Sequence, residues 1–224
     1  MSSRGFKHDL FAQFARVGKA LSNGNRLELL EYIAQAERSV DELSKVSGLT
    51  MANTSQHLQQ LRLAGLVSCR KEGLKVFYTL SGDDVIGLLD ALRGVAERHV
   101  ADVERLINAY LTVKDNLEPV PAAELLHRAR EGLVTVLDVR PVEEYAAGHL
   151  PGAINIPLPE LEARLDRLDL HKEVVAYCRG PHCILAFDAV ERLRKLGRDA
   201  RRLEGGFPEW QHAGLPVEDA GESH

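Results

Sequence analysis

A cysteine closes a short apolar run, Val174-Val175-Ala176-Tyr177-Cys178, and a tight polar loop follows it, Arg179-Gly180-Pro181-His182-Cys183. An amphipathic segment from Leu185 to Leu196 comes next. That order predicts a buried strand, a loop, and a helix whose N-terminus points back at the Cys178 sulfur. Unpaired N–H groups at such a terminus, and the positive end of its dipole, favour thiolate over thiol. A thiolate in a ring of amides is a place to make, hold or read a sulfur-bearing anion. Arg179 and His182 add positive potential in this reading. Gly180 permits a turn that other residues resist, while Pro181 removes one amide donor from the ring. Cys183 is open to two readings. It is either a second thiol that resolves a persulfide or sulfenate at Cys178 into a disulfide, or a small residue that starts the helix.

The elements that would position this loop are α/β in pattern. Strands are expected at Thr135–Val139, Val174–Tyr177 and Ala200–Leu203. Helical segments lie between them at Ala122–Glu131, Glu143–Ala147, Glu160–Leu165 and Leu185–Leu196. Near-continuous Val/Leu strands alternating with helices indicate a parallel sheet covered on both faces. Asp138 and Arg140 end the strand beside that of Cys178 and read as an ion-paired scaffold shaping its loop.

The first half of the chain follows another pattern, mostly helical with one hairpin. Asn25–Ala36 is a helix candidate. Ser39-Val40-Asp41-Glu42 is a capping box that opens a short helix ended by Gly48. Thr50 caps a second helix, Met51–Ala64, closed by Gly65; the pair forms a helix-turn-helix. Two β-segments, Leu66–Arg70 and Lys75–Leu80, flank the turn Lys71–Leu74, which makes a wing. On the second helix Thr54, Leu58 and Leu61 face inward. Ala52, Asn53, Gln56, Gln59 and Gln60 lie opposite, with Ser55 at the edge. Asn and Gln suit bidentate contacts to adenine, whereas a generic solvent face would carry Lys and Glu. Arg70, Lys71 and Lys75 on the wing would hold phosphate or enter the minor groove. A long helix is expected from Asp83 to Val113, with a near-heptad apolar stripe that would pair with a second copy.

The chain has 224 residues, 45% of them hydrophobic, enough for two domains with real cores. We assign 1–113 to the first, 114–121 to a linker with Pro119 and Pro121, and 122–224 to the second. No run of about 18 apolar residues is present, so no membrane partner is expected, and the first residues lack the apolar core of a secretory signal. Three cysteines, Cys69, Cys178 and Cys183, leave one unpaired in any scheme and argue for a reducing cytoplasm. The net charge of −5 is carried by the second half, while residues 51–80 hold Arg62, Arg70, Lys71 and Lys75 against Glu72 alone. A basic stripe in a near-neutral domain fits duplex DNA. His99, with Asp102 nearby, falls short of the roughly four ligands that zinc takes, so no metal and no other cofactor is expected.

Three stretches of the first half are family-like: Leu21–Leu27, Leu49–Leu58 and Leu61–Val67. Through them residues 10–110 resemble the ArsR/SmtB winged-helix repressors. The resemblance implies a homodimer on a palindromic operator, released by a ligand or by thiol chemistry. His57 matches a position common in that family and reads equally as a DNA contact or as a packed or capping residue. Residues 119–217 resemble a single rhodanese domain through Leu137-Asp138-Val139-Arg140, Glu143-Glu144-Tyr145, Gly148–Pro157, the Cys178 loop and Gly205–Trp210. This implies that Cys178 attacks the outer sulfur of thiosulfate or a polysulfide and passes it to an acceptor thiol. Position 184 is Ile, where a phosphatase-type loop wants an arginine. The expected fold is therefore a mostly α winged helix-turn-helix followed by an α/β rhodanese-like domain. Two functions stay open: a repressor whose rhodanese domain senses or transfers sulfane sulfur, and a sulfurtransferase enzyme tethered or dimerised by the winged helix.

Overall fold

The computed structural model describes residues 3–112, 114–115 and 118–219. By compactness it divides into two units, one ending at Val85 and the other beginning at Ile86.

The first unit runs α1 (Ser3–Leu21), α2 (Gly24–Ile33), β1 (Arg38–Ser39), α3 (Val40–Ser47), α4 (Met51–Leu63), β2 (Val67–Glu72) and β3 (Lys75–Leu80). The expected start and stop signals form. The Ser39 amide donates to Glu42 Oε2 at 2.8 Å and the Glu42 amide to Ser39 Oγ at 3.3 Å. Gly48 takes φ 69°, and Thr50 Oγ1 accepts from the Asn53 amide at 3.3 Å. The hairpin β2–β3 turns at Gly73, and β1 adds to its outer side in the antiparallel order β1-β3-β2. Leu29, Leu30, Leu43, Leu58 and Leu61 are wholly buried and tie α2, α3 and α4 together.

The long helix expected from Asp83 to Val113 is broken. Helix α5 covers Asp84–His99, Val100 is extended (φ −111°, ψ 99°), α6 covers Ala101–Ile107, and a π-turn covers Asn108–Thr112. The β-branched Val100 favours extended dihedrals, and Asp102 and Glu104 in the first turn of α6 suit the positive end of a new helix dipole. The heptad stripe is thus split between two helices. Val113, Asn116 and Leu117, the end of that helix and part of the expected linker, lie outside the described residues.

Beyond it come α7 (Ala122–Arg130), β4 (Val134–Asp138), α8 (Val142–Ala147), β5 (Ile154–Asn155), β6 (Glu173–Tyr177), α9 (Ile184–Lys195), β7 (Ala200–Arg202) and α10 (Phe207–His212). The helix expected at Glu160–Leu165 is instead two 3₁₀ turns, Leu158–Glu160 and Glu162–Arg167. The four strands are parallel in the order β5-β4-β6-β7. Alternation along β6 builds two cores. Val174, Ala176 and Cys178 pack with Leu137, Val190 and Leu193 on one face. Val175 and Tyr177 pack with Leu125, Phe207 and Trp210 on the other. Among the described residues no helix is long and apolar enough to cross a membrane.

Candidate sulfur site and nucleic-acid face

Strand β6 lies between β4 and β7 with Val174–Tyr177 fully buried, so its C-terminal end is fixed from both sides. Cys178 follows that end, 1% exposed. Cys183 is the N-cap of α9 and offers no side-chain hydrogen bond there. The two sulfurs are joined as a disulfide, with Cα atoms 6.2 Å apart. That pairing is the arrangement the resolving-thiol reading of Cys183 requires. The Cys183 amide donates to Gly180 O at 3.1 Å, closing the turn. Among the described residues the amides of Gly180 and His182 meet no backbone acceptor. In the first turn of α9 the Ala186 amide donates to Cys183 O at 3.3 Å, and the Ile184 and Leu185 N–H groups are without intrahelical partners by geometry. In this disulfide form neither sulfur is a thiolate.

A second segment holds the loop from outside. The Phe207 amide donates to Cys178 O at 3.0 Å. A Cβ on Gly206 would stand 2.3 Å from the Gly180 nitrogen and 2.5 Å from the Arg179 carbonyl carbon, both backbone atoms. Only glycine fits where two main chains approach this closely. Glu209 then caps the turn, accepting from the Gly206 amide at 2.9 Å.

The charged groups sort differently from the simple expectation. Arg179 does not add free positive potential to the cradle. Its Nε and Nη2 donate to both oxygens of Glu144 at 2.8–3.1 Å, and Glu144 is wholly buried. Asp138 and Arg140 are a fully buried pair. Arg140 Nη2 donates to Asp138 Oδ2 at 2.7 Å and to Gly148 O at 2.7 Å. The Arg140 guanidinium lies 4.3 Å from the Phe207 ring centre and 5.5 Å from that of Tyr177. Burial opposes its charge, but the Asp138 carboxylate outweighs that and holds the guanidinium above its usual range. His182 is lowered, first by burial and then by Arg93 and Arg202, with Glu97 and Glu209 acting the other way. It is largely neutral at pH 7.

In the first unit, α4 presents Ala52, Asn53, Gln56, Gln59 and Gln60 to solvent, with Ser55 and His57 half-buried and Thr54, Leu58 and Leu61 inside. The Thr50 hydroxyl is occupied by the helix cap. His57 borders a recess of about 410 Å³ lined also by Arg16, Lys19, Arg26, Gln56 and Gln60. It therefore sits at a basic edge rather than in the core. On the wing, Arg70 is held by Glu37 and Glu72 and lies over the Phe77 ring at 4.7 Å. Lys71 and Lys75 are exposed on the hairpin. Cys69 stands on β2 opposite Tyr78. The basic recess was not anticipated: Arg16 and Lys19 lie on α1, which no cap or strong periodicity announced.

Residues 23–68 match the bacterial regulatory protein arsR family, and residues 121–213 match the rhodanese-like domain. The whole arrangement has a relative. An HTH-type transcriptional regulator of Mycobacterium tuberculosis is 46% identical over 213 residues, covering 95% of this chain and 93% of that protein. The chain belongs to the arsR family of transcriptional regulators. Like that relative, this family member matches across both halves, so the rhodanese-like domain is part of the shared architecture. Two solved structures each match one half. The homodimeric winged helix-turn-helix DNA-binding domain of a Mycobacterium bovis protein is 41% identical, covers 45% of this chain and 91% of its own, and has a TM-score of 0.41. A rhodanese-related protein of Thermoplasma volcanium is 33% identical, covers 46% and 98%, and has a TM-score of 0.41.

Proposed function

We propose that this arsR-family regulator is a cytoplasmic homodimer that binds a palindromic operator, and that sulfane sulfur sets its DNA affinity through Cys178 and Cys183. Residues 1–113 carry DNA reading and dimerisation, and residues 122–224 carry the sulfur chemistry. The polar face of α4 (Ala52, Asn53, Ser55, Gln56, Gln59 and Gln60, with His57 beside it) enters the major groove. Thr50 sets the start of α4, and Lys71 and Lys75 hold phosphates. Arg70, engaged by two carboxylates, shapes the wing instead.

The chemistry has two steps. The reduced Cys178 thiolate attacks the outer sulfur of a persulfide, RS–SH; Cys178–S–SH forms and RS⁻ leaves. The loop amides stabilise the charge at Cys178 before attack. The Cys183 thiolate then attacks the inner sulfur of that persulfide, releasing HS⁻ and closing the Cys178–Cys183 disulfide. The observation that carries this reading is that the two sulfurs meet at the N-terminus of α9. It favours a sensor over a turnover enzyme, because the resolving thiol competes with any external acceptor.

The test is a mobility shift on the protein's own promoter with and without polysulfide. We expect affinity to fall by about tenfold or more, within the usual size of allosteric coupling, and to stop responding in Cys178→Ser. In Cys183→Ser, intact mass after polysulfide should show one added sulfur at Cys178 and no disulfide. Unchanged release from DNA in Cys178→Ser would remove the sensor.

A further inference from the structure

The loop that holds Cys178 is braced by a helix from outside the rhodanese-like domain. That domain's match begins at residue 121, yet α5 lies along its sulfur loop with one face. At one end a Cβ on Gly87 would come 3.1 Å from His212 Nε2. Further along, Arg93 Nη1 donates to Glu209 Oε1 at 3.0 Å. One turn on, Glu97 Oε1 is 3.3 Å from His182 Nε2. Positions 87, 90, 93/94 and 97 recur every three to four residues and so share one side of a helix. The Arg93–Glu209 and Glu97–His182 contacts are not peripheral to the loop. His182 is one of its members. Glu209 caps the Gly206 turn whose backbone presses on Arg179 and Gly180. An ideal Cβ on Gly180 would lie 3.8 Å from Glu209 Oε1 and 4.0 Å from Arg93 Nη2, so the Arg93–Glu209 pair stands directly over the loop backbone.

We propose that Arg93 and Glu97 are positioning residues of the Cys178 site. Arg93 acts through Glu209 on the backbone of Arg179-Gly180, and Glu97 acts through His182. Together they hold the loop in the arrangement in which Cys178 meets Cys183. The sulfur site of this regulator is thus completed by α5, a helix that begins at Asp84, four residues after the wing strand ends. This rests on the reading of Cys178 as the reactive sulfur. The Arg93–Glu209 ion pair and the Glu97–His182 contact are both present in the disulfide form; on this proposal they loosen when the disulfide opens, and a contact stronger in one state favours that state. Removing either should therefore make the disulfide easier to reduce.

The test uses the full chain and four variants: Glu97→Gln, Arg93→Met, Arg93→Lys as the conservative rescue, and Glu104→Gln on the exposed face of α6 as control. The disulfide is equilibrated against a dithiol reagent, which supplies two electrons and two protons and closes to its own disulfide. We expect Glu97→Gln and Arg93→Met each to favour reduction by about two- to fivefold, as for half-exposed ion pairs. For a two-electron couple that is about 10–20 mV. Arg93→Lys should return most of the way, and Glu104→Gln should match the parent.

A second readout is the proton NMR titration of His182. The charged groups facing it are Arg93 and Glu97 from α5, Arg202 from β7 and Glu209 from α10. Loss of the Glu97 charge should move its titration to lower pH, and loss of the Arg93 charge to higher pH. A purely structural role would leave both in place. Reduction equilibria for Glu97→Gln and Arg93→Met equal to the parent, with His182 titrating at unchanged pH, would overturn the proposal. Neither readout involves DNA. Failure of the sensor reading appears instead as promoter affinity that ignores sulfur.

Discussion

The two halves of the molecule each contain an arginine that sequence alone singles out, and they treat it in opposite ways. Arg140 is wholly enclosed, clamped by Asp138 and flanked by two aromatic rings. Arg70 lies on the wing at 53% side-chain exposure, against Glu37 at 30%. The first acts as scaffold, because a buried guanidinium is held in place by the carboxylate and carbonyl it donates to. The second is a surface arrangement that water and salt can replace. On the proposed reading, the sulfur site has its frame fixed by desolvated charge, while the wing keeps charge it can redirect.

Asp138→Ala tests the stronger side of that contrast. It leaves the buried Arg140 guanidinium without its carboxylate, and the expected loss is about 3–5 kcal/mol. Trp210, the one tryptophan of the chain, is buried in the same core as Tyr177 and Phe207 and reports that transition in a urea titration. Glu37→Gln on the wing should cost no more than about 1 kcal/mol, followed by circular dichroism. A loss below about 1 kcal/mol for Asp138→Ala would erase the distinction.

The next contrast sets two glycines side by side. An alanine methyl at Gly206 would strike the backbone of Arg179 and Gly180 at 2.3–2.5 Å, and neither wall is a side chain that can swing away. Overpacking of this kind costs about 1–3 kcal/mol, again readable from Trp210. Gly24, at the start of α2, has nothing within 4 Å and no left-handed backbone. Gly24→Ala should stabilise the first unit by about 0.4–1 kcal/mol, by restricting the unfolded chain. A Gly206→Ala variant as stable as the parent would show that the loop is free to move away from α10.

What could be read beforehand follows the range of the interactions. The strand before Cys178, the caps at Ser39 and Thr50, and the wing turn at Gly73 are local, and apolar run length or residue type announces them. The Asp138–Arg140 pair is two residues apart and was also legible. The Arg179–Glu144 pair spans 35 positions and Arg70–Glu37 spans 33, so no spacing rule connects them. Both arginines were accordingly read as more available than they are. The break at Val100 carries neither Gly nor Pro, and the apolar stripe runs straight across it. The polar side of α5 gave no signal either, because Arg93 and Glu97 look like ordinary solvent charges until Glu209 and His182 are folded beside them.

The smallest expected effect concerns a carboxylate of the first unit that closes a helix cap. Glu42 is held below its ordinary value of 4.5, chiefly because the Ser39 amide donates to it. A lowered folded value means that the charged form is stabilised by folding. Its contribution is therefore complete above the unfolded value and disappears as pH falls through the folded one. Glu42→Gln keeps an oxygen able to accept from Ser39 but removes the charge from the first turn of α3. At pH 7 the variant should lose about 0.3–1 kcal/mol, the worth of an acidic group at an exposed helix start. Urea titrations by circular dichroism, stepped down to about pH 3, should show the two proteins converging as the parent's carboxyl takes up its proton. A gap that stays constant across that range would mean that the shape of the capping box, and not its charge, stabilises α3. The reading unit would then depend on ionised groups even less than its contrast with the sulfur site implies.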